Sequence, residues 1–188
     1  GGSAIYMSSK DMQIARAEPV KDTARVLSRY IDGLVIRTYA QEVIEEYGSY
    51  ATIPVINALS DLYHPCQILS DLLTIIEHRN GLDGLKLAWV GDGNNVAHSW
   101  LNAAATLDFD LTLACPEGYL PDADILARAQ TARGERITVV TDPREAVKDA
   151  NIIYTDVWAS MGQESEQPER LKEFEAFQVN QALVNKAA

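Results

Sequence analysis

The feature that most constrains the fold of this chain is the regular alternation of apolar, strand-like runs with amphipathic helical ones. Strands are predicted at residues 3–7, 33–38, 53–58, 86–91, 110–115, 137–141 and 151–156. Helices are predicted between them at residues 19–31, 41–50, 65–79, 94–107, 122–133 and 143–149. Because a crossover helix returns the chain to the same sheet in the same direction, this alternation predicts the α/β class with parallel sheets.

One break in the pattern divides the chain into two predicted domains. Residues 79–84 read Arg-Asn-Gly-Leu-Asp-Gly, and glycines beside an asparagine favour a turn or linker. We expect one α/β domain at residues 1–80 and a second at 81–188, joined through the helix predicted at 65–79. The chain starts directly on a predicted strand and ends without a closing one, so both domains are expected to be incomplete at the chain ends.

Composition argues against several classes of function. The formal net charge of −11 argues against a nucleic-acid partner or an anionic membrane partner. No apolar run approaches the length of a membrane span, and the first residues lack the apolar centre of a signal peptide, so we expect a cytoplasmic protein. Cys66 and Cys115 are the only cysteines, which indicates neither a disulfide framework nor a cysteine-rich zinc site.

Polar residues follow several predicted strands, at the carboxyl edge where parallel α/β sheets bind ligands. These positions are occupied by Arg37, Thr38, Asn57, Gly91, Asp92 and Asp156. Asp156 opens a loop that continues through Ser160 and Met161, and its carboxylate could bind the ammonium group of a substrate. Taken alone, an aspartate in a loop is more often a turn or capping residue.

Residues 90–99, Val-Gly-Asp-Gly-Asn-Asn-Val-Ala-His-Ser, follow a predicted strand and open a predicted helix. A dinucleotide-binding fingerprint would have a glycine where Val96 stands, and an acid near the end of the next strand where Cys115 stands. A nicotinamide-dependent dehydrogenase is therefore a minor hypothesis. Two other hypotheses stay open. In the first, Asn94 and Asn95 hold a carboxylate or an amino acid at the helix N-terminus. In the second, they only cap the helix.

Residues 60–75 place His64 and Gln67 around Pro65, at the start of an apolar helix. One interpretation is an ordinary helix start, with a capping acid upstream and proline in the first turn. The other is that the helix start presents His64 and Gln67 to a polar substrate. No histidine and carboxylate recur at ligand spacing, so no metal site is expected.

Taken together, residues 60–74, 89–99 and 156–164 closely resemble the corresponding motifs of ornithine carbamoyltransferases, and residues 18–37 extend the resemblance over nearly the whole chain. The Ser-Met-Gly sequence after Asp156 points to ornithine rather than aspartate as the acceptor. The resemblance implies transfer of a carbamoyl group from carbamoyl phosphate to ornithine, giving citrulline and phosphate in arginine metabolism. It implies no metal, no organic cofactor, and a homotrimer with active sites between neighbouring subunits.

The resemblance also implies roles for individual residues. Arg37, His64 and Gln67 match residues that contact carbamoyl phosphate, and Arg37 with His64 would polarise its carbonyl and stabilise the oxyanion. Gln13 matches a residue that reaches into the neighbouring subunit's site. The ornithine-binding positions are matched by Asn95, Asp156, Ser160 and Met161.

The sequence also departs from the family. Neither the phosphate-binding Ser-Thr-Arg-Thr segment nor the His-Cys-Leu-Pro loop beside ornithine occurs in these residues, and Ala15 and Ala17 stand where the family commonly has glycine. Loss of a phosphate cradle removes several charge-assisted hydrogen bonds. We therefore expect little or no turnover from this chain alone. The alternative hypothesis is a non-catalytic relative that serves as a ligand-binding or assembly module.

Overall fold

Helices and strands alternate along the chain in the computed structural model, which describes residues 2–8, 18–159 and 167–188. The chain separates into two compact units, Gly1–Asp61 and Leu62–Ala188. Within the described residues, the strands pair in parallel and form a two-stranded sheet and a four-stranded sheet. The α/β class with parallel sheets, predicted from the alternation, is confirmed.

In the described part of the first unit, two helices accompany a two-stranded parallel sheet. In chain order these are α1 (Val20–Leu27), β1 (Leu34–Arg37), α2 (Gln41–Tyr50) and β2 (Val55–Leu59). Ala24 of α1 and Ile44 and Tyr47 of α2 are buried. The strand predicted at residues 3–7 is wrong: this segment has no strand, and Ile5 and Tyr6 are exposed. Apolar alternation alone does not form a strand, because a strand requires a neighbour to accept and donate its ladder bonds.

The second unit is a four-stranded parallel sheet with helices on both faces. Its elements are α3 (Pro65–Arg79), β3 (Lys86–Val90), α4 (Asn95–Thr106), β4 (Asp110–Ala114), α5 (Ala123–Arg133), β5 (Ile137–Val140), α6 (Pro143–Ala146), β6 (Ile152–Tyr154), α7 (Gln167–Glu173) and α8 (Gln181–Val184). The strand order across the sheet is β5-β4-β3-β6. Among the described residues, no helix has the length and apolar character needed to cross a membrane.

Both faces of β3 are buried, which explains why its sequence is an unbroken apolar run after Lys86. Leu87 and Trp89 face a core formed with α3, α4 and α5, whereas Ala88 and Val90 face a second core. The first core also contains Ile68, Leu72, Trp100, Leu101, Phe109, Leu111, Leu113 and Ile125. The second contains Ala114, Ala146, Val147, Phe174, Phe177 and Leu183. The two layers of helices hold the central strand, and therefore the loops that follow it, in place.

Helix α3 belongs to the second unit by its packing. Ile68, Leu72 and Ile75 form its buried stripe and join the core on one face of the four-stranded sheet. The spacing of these residues was sufficient to predict the stripe. The sequence also placed this helix within a domain ending at residue 80, and that division of the chain stays a prediction.

Candidate functional site at the carboxyl edge of the second sheet

The strand order of the second unit creates a switch point beside β3. From β3 the chain proceeds to β4 and then β5 on one side, whereas β6 pairs with the other side of β3. Loops that leave two neighbouring parallel strands in opposite directions open a crevice at the carboxyl edge, where α/β proteins bind ligands. The crevice is formed here by the loop after Val90 and the loop after Tyr154.

Two glycines shape the loop between β3 and α4. Gly91 has φ of +148°, a conformation that residues with a side chain rarely adopt, and its N–H donates to the carbonyl of Ala114 over 3.0 Å. At Gly93 an added Cβ would lie 2.2 Å from the backbone nitrogen of Pro121. The second glycine therefore permits close packing of residues 119–121, and no pyrophosphate is needed to explain it.

Asn94 caps helix α4 and also binds Asp156. Its Oδ1 accepts hydrogen bonds from the backbone N–H groups of Val96 and Ala97 at 3.0 and 3.2 Å. Its Nδ2 donates to Oδ2 of Asp156 over 3.2 Å. The other carboxylate oxygen of Asp156 accepts from the N–H of Val157 over 2.8 Å. The capping hypothesis is thus confirmed for Asn94, and the same side chain orients Asp156, whose role in ammonium binding stays a prediction.

His64 and Asn95 are connected through Ser99. His64 is the residue immediately before α3, and Pro65 is the first residue of that helix, as predicted. The backbone N–H of His64 donates to Oγ of Ser99 over 2.7 Å, and that hydroxyl donates to the carbonyl of Asn95 over 2.8 Å. Ser99 is buried and was not identified from the sequence. It ties the predicted carbamoyl-phosphate residue to the first turn of α4.

Gln67 lies one turn before Asp71 on α3 and is bound to it. Nε2 of Gln67 is 3.0 Å from Oδ1 and 3.2 Å from Oδ2 of Asp71. The hydroxyl of Tyr154, on β6, donates to Oδ2 of the same carboxylate over 2.6 Å. Burial raises the pKa of Tyr154, and the neighbouring Asp71 carboxylate raises it further. The phenol therefore stays a hydrogen-bond donor at neutral pH.

Asp92 was expected among the ligand-binding residues because it follows a strand. In the structure it is instead buried in an ion pair. Arg170 of α7 donates to Oδ2 of Asp92 over 2.7 Å and to the carbonyl of Trp158 over 3.0 Å. The guanidinium carbon lies 4.9 Å from the centre of the Tyr119 ring. The pKa of Asp92 is raised, chiefly by burial, although Arg170 opposes this shift. Asp92 thus fastens α7 to the loop after β3.

Four further residues were predicted to belong to the site. Arg37 is exposed at the end of β1, in the first unit. Gln13, Ser160 and Met161 fall outside the described residues. In the part of the chain that is described, no three histidine, cysteine or acidic side chains are arranged to hold a metal ion. Of the predicted residues, the structure brings His64, Asn95 and Asp156 to one edge through Ser99 and Asn94.

A parallel α/β sheet with polar side chains at its switch point defines a domain of the small-molecule-binding class. Comparison with protein families is more specific. The model described as "Aspartate/ornithine carbamoyltransferase, carbamoyl-P binding domain" matches residues 1–77, and that described as "Aspartate/ornithine carbamoyltransferase, Asp/Orn binding domain" matches residues 83–188. The chain therefore belongs to the aspartate/ornithine carbamoyltransferase family.

Individual relatives agree with this assignment. The chain is 58% identical, over all of its residues, to the ornithine carbamoyltransferase of Desulfotalea psychrophila, and 55% identical, over 98% of its residues, to that of Geobacter sulfurreducens. It covers 62% and 61% of those two proteins. Among solved structures, the ornithine carbamoyltransferase from Pyrococcus furiosus matches all of this chain with a TM-score of 0.92 at 50% identity, and 61% of that chain is covered. The chain thus spans about three fifths of the length of these relatives.

Proposed function

We propose that this chain forms part of an ornithine carbamoyltransferase, which transfers a carbamoyl group from carbamoyl phosphate to the side-chain amine of ornithine. The products are citrulline and phosphate, which places the reaction in arginine metabolism. The relatives named above support the proposal because all are ornithine carbamoyltransferases. They favour it over the non-catalytic alternative, and the nicotinamide hypothesis has no support among them.

The observation that carries the proposal is the bond between Asn94 and Asp156 at the switch point. It holds a carboxylate in the crevice, beside the N-terminus of α4, where Asn95 is the first helical residue. A carboxylate beside the positive end of a helix and an amide side chain suits a zwitterionic amino acid, which carries both an ammonium and a carboxylate. In this proposal Asp156 binds an ammonium of ornithine, and Asn95 with Ser160 and Met161 orients the rest of the molecule.

Carbamoyl phosphate is assigned to Arg37, His64, Gln67 and Gln13. In the reaction the neutral side-chain amine of ornithine attacks the carbonyl carbon, and a tetrahedral oxyanion forms. The nitrogen loses its proton and the C–O bond to phosphate breaks, so that phosphate leaves with the bonding electrons. Arg37 and His64 would stabilise the oxyanion, which is generally the largest contribution to catalysis of acyl-type transfer. Orienting the amine adds to this effect, because it removes the entropy cost of aligning two reactants.

Three further assignments belong to the same proposal. Residues 1–80 would form the carbamoyl-phosphate domain and residues 81–188 the ornithine domain, in agreement with the ranges matched by the family models. The protein would act as a homotrimer in the cytoplasm, with Gln13 completing a neighbour's site. The free thiols of Cys66 and Cys115 are compatible with a reducing compartment.

The test is ornithine binding by the purified 188-residue chain, measured by calorimetry. We expect saturable binding that is weakened roughly 10- to 100-fold by Asp156→Asn, since a charge-assisted hydrogen bond would be lost. Asp124→Asn makes the same change at an exposed position in α5 and should leave the affinity unaltered. Absence of saturable binding, or equal affinity in the Asp156→Asn variant, would contradict the proposed ornithine site.

Citrulline formation from carbamoyl phosphate and ornithine then separates enzyme from binding module. Citrulline above the level of a protein-free reaction would support carbamoyl transfer by this chain. Because little or no turnover is expected of this chain alone, ornithine binding without citrulline fits both hypotheses, and only citrulline formation distinguishes them.

A further inference from the structure

The carboxamide of Gln67 is held in one orientation by Asp71. A carboxylate only accepts hydrogen bonds, so the group of Gln67 that faces it must be the NH₂ donor and not the carbonyl. The distances of 3.0 and 3.2 Å from Nε2 to the two carboxylate oxygens agree with this assignment. With its NH₂ group turned toward Asp71, Gln67 presents its Oε1 acceptor at the other end of the carboxamide.

Asp71 is in turn held from the sheet. The hydroxyl of Tyr154 donates to Asp71 over 2.6 Å. The Tyr154 ring stacks on Trp89 with 5.5 Å between ring centres, and it meets the edge of Trp100 at 5.3 Å. Both tryptophans are fully buried, so they restrict the ring that carries this hydroxyl. Strand β6, which leads to Asp156, therefore anchors the carboxylate that orients Gln67.

We propose that Asp71 is a positioning residue that makes Gln67 selective for a ligand with an N–H donor. This inference rests on the proposed function, in which Gln67 contacts carbamoyl phosphate. The carbamoyl group differs from an acetyl group of similar shape by bearing NH₂ in place of CH₃. A fixed Oε1 acceptor distinguishes these two groups, because only the amide can donate to it. A carboxamide free to rotate would lose part of this selectivity, since either end could face the ligand.

The test compares two stable phosphonates of nearly the same shape. Phosphonoacetamide carries the amide, whereas 2-oxopropylphosphonate carries a methyl group at the same position. For the unmodified chain we expect phosphonoacetamide to bind about twofold to tenfold more tightly, the range for one neutral hydrogen bond. Asp71→Asn allows either orientation of Gln67, so the ratio of the two dissociation constants should fall toward one.

Two variants control the comparison. Glu77→Gln makes the same kind of change on an exposed part of α3 and should preserve the ratio. Tyr154→Phe keeps the ring but removes the hydroxyl that holds Asp71, so its ratio should lie between those of the unmodified chain and Asp71→Asn. The ratio separates positioning from a general loss of structure, because damage to the fold would weaken both phosphonates alike.

The hydrogen bond between Gln67 and Asp71 can also be tested without a ligand. In ¹H–¹⁵N spectra, the side-chain NH₂ of Gln67 should exchange slowly with water, and Asp71→Asn should speed this exchange at least severalfold. Two results would overturn the role of Asp71 without affecting the proposed function. One is an unchanged ratio of dissociation constants in Asp71→Asn, and the other is equal affinity of the unmodified chain for the two phosphonates. Failure to bind either phosphonate would instead overturn the proposed function on which this inference rests.

Discussion

The hydroxyl of Ser99 accepts a hydrogen bond from the backbone N–H of His64 over 2.7 Å, across 35 residues of sequence. Ser99 is buried, so Ser99→Ala would remove a partner that water cannot readily replace. We expect the second unit to lose about 1–3 kcal/mol of unfolding free energy, the usual cost of removing one partner of a buried bond. Urea denaturation followed by tryptophan fluorescence measures this, since all three tryptophans lie in the second unit.

Thr106→Ala on the same helix provides the control. The Thr106 hydroxyl is exposed and donates to the carbonyl of Asn102 over 2.9 Å. Water can replace that bond, so its removal should change stability by no more than about 0.5 kcal/mol. Equal losses for the two variants would show that the bond between Ser99 and His64 contributes nothing specific.

The buried ion pair of Asp92 and Arg170 predicts a large and pH-dependent effect. Arg170→Met leaves the Asp92 carboxylate buried without its 2.7 Å partner, which typically costs about 3–5 kcal/mol. Burial already raises the pKa of Asp92, and loss of Arg170 removes the opposing charge, so that pKa should rise further. The destabilisation should therefore be greatest near neutral pH and should shrink on acidification, as Asp92 takes up a proton. Urea denaturation at pH 7, 6 and 5 measures both effects.

Arg144→Met is the matched control, because the pair of Arg144 with Asp142 lies on the surface at 2.7 Å. An exposed pair is well solvated, so its loss should change the stability little. If Arg170→Met were no more harmful than Arg144→Met, the buried pair would not fasten α7 to the loop after β3.

Gly93 predicts a steric effect. A methyl group there would lie 2.2 Å from the nitrogen of Pro121 and 2.4 Å from the carbonyl carbon of Leu120, both of which are backbone atoms. Gly93→Ala must therefore displace residues 120–121 and should cost at least about 1–3 kcal/mol. Gly48→Ala, on helix α2 with no atom within 4 Å of the added methyl, should stabilise by about 0.5–1 kcal/mol. Thermal unfolding followed by circular dichroism measures the stability of both variants. If the two unfolding midpoints shifted in the same direction, this explanation would be contradicted.

Most of the fold could be predicted because buried parallel strands have a strong local signature. Leu87, Trp89 and their neighbours form a continuous apolar run, and α3 shows its buried stripe at helical spacing. The segment at residues 3–7 has a similar composition but no strand conformation. Strand pairing depends on a partner elsewhere in the chain, and local sequence does not reveal whether that partner is present.

In the candidate site, too, short motifs could be recognised in the sequence, whereas contacts between distant residues could not. His64, Asn95 and Asp156 stand in motifs that could be recognised from a few residues each, although their roles stay predictions. The partners that orient His64 and Asp156 could not be recognised, because Ser99 lies 35 residues from His64 and Asn94 lies 62 residues from Asp156. Gln67 and Asp71 differ, because their spacing of four residues on one helix places both side chains on the same face, although the sequence analysis did not identify the pair.

His98 predicts how stability depends on pH. Its Nε2 accepts from the N–H of Asp122 over 2.9 Å, so Nδ1 carries the proton and donates to the carbonyl of Leu62 at 3.1 Å. Burial lowers the pKa of His98, although the nearby acids Asp122 and Asp92 oppose this shift.

The unfolded chain therefore binds the proton first as the pH falls below about 6.5, and the second unit should lose stability on acidification. The contribution of His98 to this slope is at most about 1.4 kcal/mol per pH unit. His98→Gln removes the titrating group, so its stability should fall less steeply between pH 7 and pH 5 in urea denaturation. His78→Gln, at an exposed position near the end of α3, controls for the loss of a histidine. Parallel pH profiles for His98→Gln and the unmodified chain would mean that His98 does not stay neutral in the folded state.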